Sequence, residues 1–202
     1  MLGVDPYWER IHLAYQYEVD RRTKSKYRHV IASNMVFEPG EIAYISDDAT
    51  LIGAFYDFLE WQGMTLSGIE MAAKKRIKRR SRGRFCLVLE RLNHGGYIIC
   101  YLASFHQAYD WRNIQSSLAR LFAIAIDDTP EFPPGTPSIK VVPKWKGCGF
   151  LYGIPVYRKN LVRPVSGNVR FILRMGELER VRNLILERVT VSPVQYFSSE
   201  VG

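Results

Sequence analysis

The chain has 202 residues, 47% of them hydrophobic and 13% aromatic, with 28 Lys and Arg against 20 Asp and Glu and a formal net charge of +8. That length and composition exclude a disordered chain and suit one globular domain able to bury its own core. The charge is local: Lys74, Lys75, Arg76, Lys78, Arg79, Arg80, Arg82 and Arg84 are eight of the basic residues, and the remaining 20 equal the acidic ones in number.

In chain order, Asp5-Pro6 reads as a helix start, with Trp8, Ile11, Tyr15 and Val19 forming one apolar stripe behind it. This N-terminus has no hydrophobic signal core. Pro39-Gly40 is a turn signal, and Ile42 and Tyr44 alternate with their neighbours as a strand does. Asp47 or Asp48 then caps a helix whose stripe is Leu51, Ile52, Phe55, Phe58 and Leu59 and whose end is Gly63. Ser67 and Glu70, in capping-box spacing, open a short basic helix.

The basic block follows and runs straight into the apolar stretch Phe85–Leu89. It fits three readings: a nucleic-acid contact, a nuclear import signal of the form KKRIKRR, or a solvated face. The concentration of the entire charge excess in one segment favours binding or targeting.

RFCLVLERL, the turn NHGG and YIICYLASF predict a β-hairpin at the centre of the fold. The run Tyr97–Phe105 is too short to span a bilayer. Asp110 caps a helix carrying Trp111, Ile114, Leu118 and Leu121, and the proline-rich Asp127–Pro137 segment is a loop. SIKVVP and FLYGIPVYRK read as further strands, and residues 176–189 as a closing amphipathic helix with Leu178, Val181, Ile185 and Val189 inward. The cysteines Cys86, Cys100 and Cys148 are odd in number and widely spaced, without C-x-x-C. Neither a disulfide framework nor a zinc site is expected, and a reducing, intracellular compartment is, nuclear or cytoplasmic.

Two other groups bear on function. Tyr97, Tyr101, Phe105 and Tyr109 recur at every fourth position and serve either as core or as a base-stacking face. Trp145, Tyr152 and Tyr157 lie among Lys144, Lys146, Arg158 and Lys159, a second mixture of aromatic and basic residues. Ser104, His106 and Asp110 lie close in sequence but without a nucleophile-elbow motif, so they do not define a serine hydrolase.

PGEIAYI, GRFCLVLE and IICYLASF, followed by RFILRMGELERVRNLI, occur in the order of the matching passages of the PemK/MazF toxin family, which the chain resembles over a third to a half of its length. The resemblance implies an α+β fold built on a small, mostly antiparallel SH3-like β-barrel with added helices, usually a dimer. Residues 1–34 would be an N-terminal helical extension, 35–191 the barrel domain with insertions at 47–81 and 108–137, and 192–202 a tail. Bacterial members cleave single-stranded RNA without a metal, so the resemblance implies RNA or another nucleic acid as partner and no cofactor or membrane. It carries the family arginine onto Arg84, for charge on the scissile phosphate, and the family threonine onto Ala103, which has no hydroxyl. Ser104 or His106 would then have to move the protons. The alternative is a non-catalytic module that binds a protein partner, with the basic block as an import signal.

Overall fold

The computed structural model describes residues 36–45, 51–61, 63, 65, 68, 71, 83–105, 110–114, 117–132, 134–145, 149–163 and 170–190. The expected N-terminal helix, the short basic helix and the C-terminal tail fall largely or wholly outside them. The described elements are β1 (Ile42–Ile45), α1 (Leu51–Trp61), β2 (Arg84–Arg91), β3 (Tyr97–Ala103), a 3-10 turn (Trp111–Asn113), α2 (Ser117–Phe122), β4 (Ala123–Ala125), β5 (Val141–Val142), β6 (Phe150–Arg158), β7 (Ile172–Leu173) and α3 (Glu177–Thr190). The fold is α+β. A mostly antiparallel five-stranded sheet has the order β1-β2-β3-β6-β4, and β5 pairs with β7 in a second, two-stranded sheet. No helix among the described residues is long and apolar enough to cross a membrane. Two compact units divide the chain, Met1–Tyr101 with Pro155–Arg170 and Leu102–Ile154 with Phe171–Gly202.

In the first unit, the Pro39-Gly40 turn and the central hairpin form as their sequences predict. Gly40 takes φ 93°, and its N–H donates to the Val88 carbonyl at 2.8 Å, which starts the β1–β2 ladder. The hairpin turn needs two left-handed residues and has them in Gly95 and Gly96, at φ 90° and 89°. Both strands are apolar on both faces, and most of their residues are buried. A bulge between Val88 and Glu90 shifts the register, so Glu90 is opposite Ile98 while Val88 is opposite Ile99. Ala54, Phe55, Phe58 and Leu59 are the buried side of α1, and Gly63 (φ 80°) ends it. Beyond β6 the chain meets β1 again, where Tyr44 and Val162 exchange two backbone hydrogen bonds of 2.9 Å.

The second unit departs from expectation at residues 110–122. Asp110 does cap, accepting from the Arg112 N–H at 2.9 Å, but what it caps is a single 3-10 turn that ends at the extended residue Ile114. The reason is packing. Ile114 is buried with Ala123, Ala125, Phe132 and Phe150, while Trp111 stacks on Phe132 with centroids 4.9 Å apart. A straight helix is not the only backbone that brings i and i+3 to one side. Beyond β4, the loop is fastened by side chains: Thr129 exchanges two 2.8 Å hydrogen bonds with the Gly149 backbone, and Ser138 donates to the Thr129 carbonyl at 2.8 Å. On α3, Val181, Ile185 and Val189 are buried as predicted, and Leu178 is half-buried. Arg188 shares that buried face, and its Nη1 donates to the carbonyls of Leu121 (3.1 Å), near the end of α2, and Ala123, at the start of β4. Burial lowers the Arg188 pKa to about 10, against a smaller opposing effect of Glu187.

Candidate functional site

Side chains alternate along a strand, so Arg84, Cys86 and Val88 point to one face of β2. Cross-strand partners share a face. The pairs Cys86–Tyr101 and Val88–Ile99 therefore add Tyr101 and Ile99 of β3, and Ala43–Cys86 and Ile45–Arg84 add two residues of β1. Arg84, the first residue of β2, is half-buried at the open end of this face. Tyr101 is fully buried. Its hydroxyl accepts from Nη2 of Arg158, the last residue of β6, whose guanidinium carbon lies 5.6 Å from the centre of the Tyr101 ring. Nη1 of Arg158 donates to the Tyr157 carbonyl at 2.8 Å, which fixes the guanidinium from a second side.

The electrostatics follow this geometry. Burial pushes the Tyr101 phenol up to about 12, with the Arg158 charge opposing and Asp57 of α1 adding to the rise. Burial likewise pushes the Cys86 thiol up to about 12, again opposed by Arg158. Both groups thus remain protonated and neutral near pH 7. Desolvation lowers the pKa of Arg84, and Tyr101 acts the other way. The Arg158 charge therefore acts on both Tyr101 and Cys86 in the first unit, and Tyr101 acts on Arg84 at the start of β2. Guanidinium groups partly stripped of water, with planar arrays of N–H donors, suit an oxyanion such as phosphate.

Two acids lie in this part of the chain, Glu41 just before β1 and Glu90 within β2. Glu41 pairs with Arg170 and accepts from the Glu38 N–H at 2.6 Å. The bulge turns Glu90 to the face of Ile98, away from that of Arg84. Ser104 is exposed, one residue after β3, and belongs to the second unit, whereas Arg84 belongs to the first. His106, Lys74, Lys75, Arg76, Lys78, Arg79, Arg80 and Arg82 lie outside the described residues, as does Cys148. Cys86 and Cys100 are buried thiols on opposite faces, because Cys100 is the partner of Leu87.

No family model matches the chain, and no curated protein or solved structure matches it either. Its chemistry has to be read from its own residues. Of the aromatic series, Tyr97 and Tyr101 are core, and Phe105 packs on Phe150 and Tyr152 with centroids 5.6 and 6.2 Å apart. Tyr109 lies outside the described residues. In the second mixture, Tyr152 and Tyr157 are buried, Lys144 pairs with Asp128 at 2.7 Å, and Trp145 packs edge-on against Phe171. Neither tyrosine can offer its ring to a base. Sequence placed Arg158 only within that second mixture and did not foresee its contact with Tyr101. Its signal was position: Arg84 opens one apolar strand and Arg158 closes another.

Proposed function

We propose that this chain is a nucleic-acid-binding protein of the PemK/MazF type, which engages single-stranded RNA through its phosphates. The observation that carries the reading is Arg84, half-buried at the start of β2 beside Tyr101 and directly after the segment that holds the charge excess. Lys74, Lys75, Arg76, Lys78, Arg79, Arg80 and Arg82 supply sequence-independent attraction to the backbone, and KKRIKRR serves as an import signal in the same segment. The SH3-like barrel belongs to this proposal. Its support is the antiparallel succession β1-β2-β3 and the Tyr44–Val162 bridge, which returns the chain from β6 to β1. Dimerisation rests on the resemblance alone. Ala103 lacks the hydroxyl that would serve a scissile phosphate, so binding rather than cleavage is the primary activity.

The test is a titration of labelled single-stranded RNA without metal at several salt concentrations, read for binding and cleavage together. Affinity should fall steeply with salt, by a slope of about 0.7 per phosphate contact, and Arg84→Ala should weaken binding and flatten that slope. Ala103→Thr, which restores the hydroxyl, should add cleavage. No salt-dependent affinity for RNA or DNA would refute the reading. A protein-interaction module is the second reading. It is favoured by the cross-strand pair Val142 and Ile172, exposed at 49% and 40%, with Met175 exposed at 99% close behind β7 in sequence.

A further inference from the structure

The outer face of the two-stranded sheet in the second unit is apolar at its centre. Val142 and Ile172 are cross-strand partners and both are exposed, while Val141 and Leu173 point inward and are buried. Pro143 is exposed beside Val142, and Met175, in the turn between β7 and α3, is almost fully exposed. Backbone hydrogen bonds hold that turn. The Arg174 N–H donates to the Lys140 carbonyl at 2.8 Å, the Glu177 N–H donates to the Arg174 carbonyl at 3.0 Å, and Gly176 takes φ 81°. Threonine would support a wet sheet face as well as Val142 and Ile172 do, and a side chain as exposed as Met175 adds little to the packing of its own fold.

The rim of this face is charged. The Arg174–Lys140 bond continues the β5–β7 ladder by one rung, so alternation puts Lys140 and Arg174 beside Val142 and Ile172, and both are exposed. The neighbouring acids are already engaged. Asp128 pairs with Lys144 at 2.7 Å and Glu177 with Arg180 at 2.5 Å, and the buried Asp127 carboxylate accepts from the Val141 and Trp145 N–H groups. Lys140 Nζ meets an uncharged carbonyl, that of Asp127, and the Arg174 guanidinium makes no hydrogen bond or ion pair with the described residues.

We infer that this face docks a short segment of another protein that is acidic as well as hydrophobic. Apolar side chains of the segment cover Val142, Ile172 and Met175, and a carboxylate meets Lys140 and Arg174. The inference deepens the protein-interaction reading of this surface by naming the partner's chemistry, and it is independent of the nucleic-acid reading, which rests on the first unit. Complementarity of charge selects the occupant. RNA would offer phosphates to the cations, but its bases stack on aromatic rings, and the centre of this patch is aliphatic. A second copy of the chain brings the same surplus of positive charge. An anionic bilayer presents continuous negative charge, which Asp128 and Glu177 at the rim oppose, and interfacial anchors are enriched in tryptophan and tyrosine. Methionine suits a peptide, because its unbranched, polarisable side chain adapts to varied partners.

The experiment immobilises the full chain and selects from a displayed random-peptide library; recovered peptides are synthesised, labelled and titrated by fluorescence anisotropy. The variants are the triple Val142→Thr/Ile172→Thr/Met175→Ser, which keeps strand propensity, and Arg174→Glu, each checked by circular dichroism and thermal melting. Selection should return peptides in which Asp or Glu neighbours Leu, Ile or Phe. The triple variant should weaken them by about tenfold or more. Arg174→Glu should weaken them by about fivefold, and a peptide with lysine in place of its carboxylate should recover that loss in Arg174→Glu but not in the wild type. Peptides that bind the folded triple variant as tightly as the wild type, or no recovered peptide at all, would overturn the docking site together with the protein-interaction reading of this surface. Neutral or basic peptides that need the patch would keep an interaction surface and overturn the acidic partner. Self-association in sedimentation that the triple variant abolishes would assign the face to a second copy, and binding to phosphatidylserine vesicles that it abolishes would assign the face to a membrane; either overturns the inference. Affinity for a labelled oligouridylate should be equal in the wild type and both variants, and a loss in the triple variant would give the patch to RNA instead. A wild-type chain that does not bind oligouridylate at all would refute the nucleic-acid reading, while the peptide titrations would still decide the docking site.

Discussion

Asp127 holds the segment after β4 in place, and its removal should be among the more damaging single changes in the second unit. The residue is buried and has φ 47°, a left-handed conformation that costs a side chain other than Gly, Asn or Asp energy. Its carboxylate accepts from the Trp145 N–H at 2.7 Å and the Val141 N–H at 3.2 Å. Its own N–H donates to the Ile139 carbonyl at 2.8 Å, and its carbonyl accepts from Lys140 Nζ at 3.2 Å. Asp127→Ala leaves both amides without their acceptor. A hydrogen bond to a charged group contributes about 1.5–3 kcal/mol, and the Trp145 amide is only partly buried, so the loss should be about 3 kcal/mol. In urea titration that is a midpoint lowered by about 1–2 M. Asp127→Asn keeps one acceptor oxygen and tolerates the backbone, so it should lose about 1 kcal/mol. Asp127→Gly should be less damaging than Asp127→Ala by about 1 kcal/mol, since glycine relieves the strain but not the lost bonds. A loss under about 0.5 kcal/mol in Asp127→Ala, the scale of ordinary surface substitutions, would refute the assignment.

Stability should fall as pH rises above about 9. Cys86, Cys100, Tyr101 and Tyr152 all have pKa values raised by burial, so between their unfolded and folded values the native state binds more protons than the unfolded chain. That stability is complete below the unfolded values and is lost as pH rises toward the folded ones, at up to about 1.4 kcal/mol per pH unit for each group. Thermal melts across pH 7–11 check it, and a flat profile beyond pH 9 would contradict the burial of these groups. Gly96→Ala should destabilise by about 1–3 kcal/mol, because the residue has φ 89° and a Cβ would come within 2.6 Å of the Tyr157 ring. An unchanged urea midpoint in that variant would show that the hairpin turn can be rebuilt.

Much of the first unit was legible because its signals are local. Pro39-Gly40 and Gly95-Gly96 specify turns through the backbone angles that glycine tolerates, and the apolar runs between them have no other use than as buried strands. The stripes of α1 and α3 were equally readable, since three or four residues on one side of a helix define what it buries. Where two backbones satisfy the same spacing, as at residues 110–122, the pattern left the choice open, and the packing of Trp111 on Phe132 decided it.

By itself, then, the sequence determined the α+β class, the central hairpin and the place of the charge excess, because each depends on residues near one another in the chain. Tertiary structure alone decided which side chains meet. The bulge after Val88 sent Glu90 to the face opposite Arg84, and Arg170 engaged Glu41 from 129 residues away. Arg158 found Tyr101 across 57 residues, and Arg188 reached the end of α2 from α3. Such pairings follow from strand register and the path of the chain, which one-dimensional spacing does not encode. The same physics makes a charged residue at the end of an apolar strand ambiguous until its neighbours on the sheet face are known.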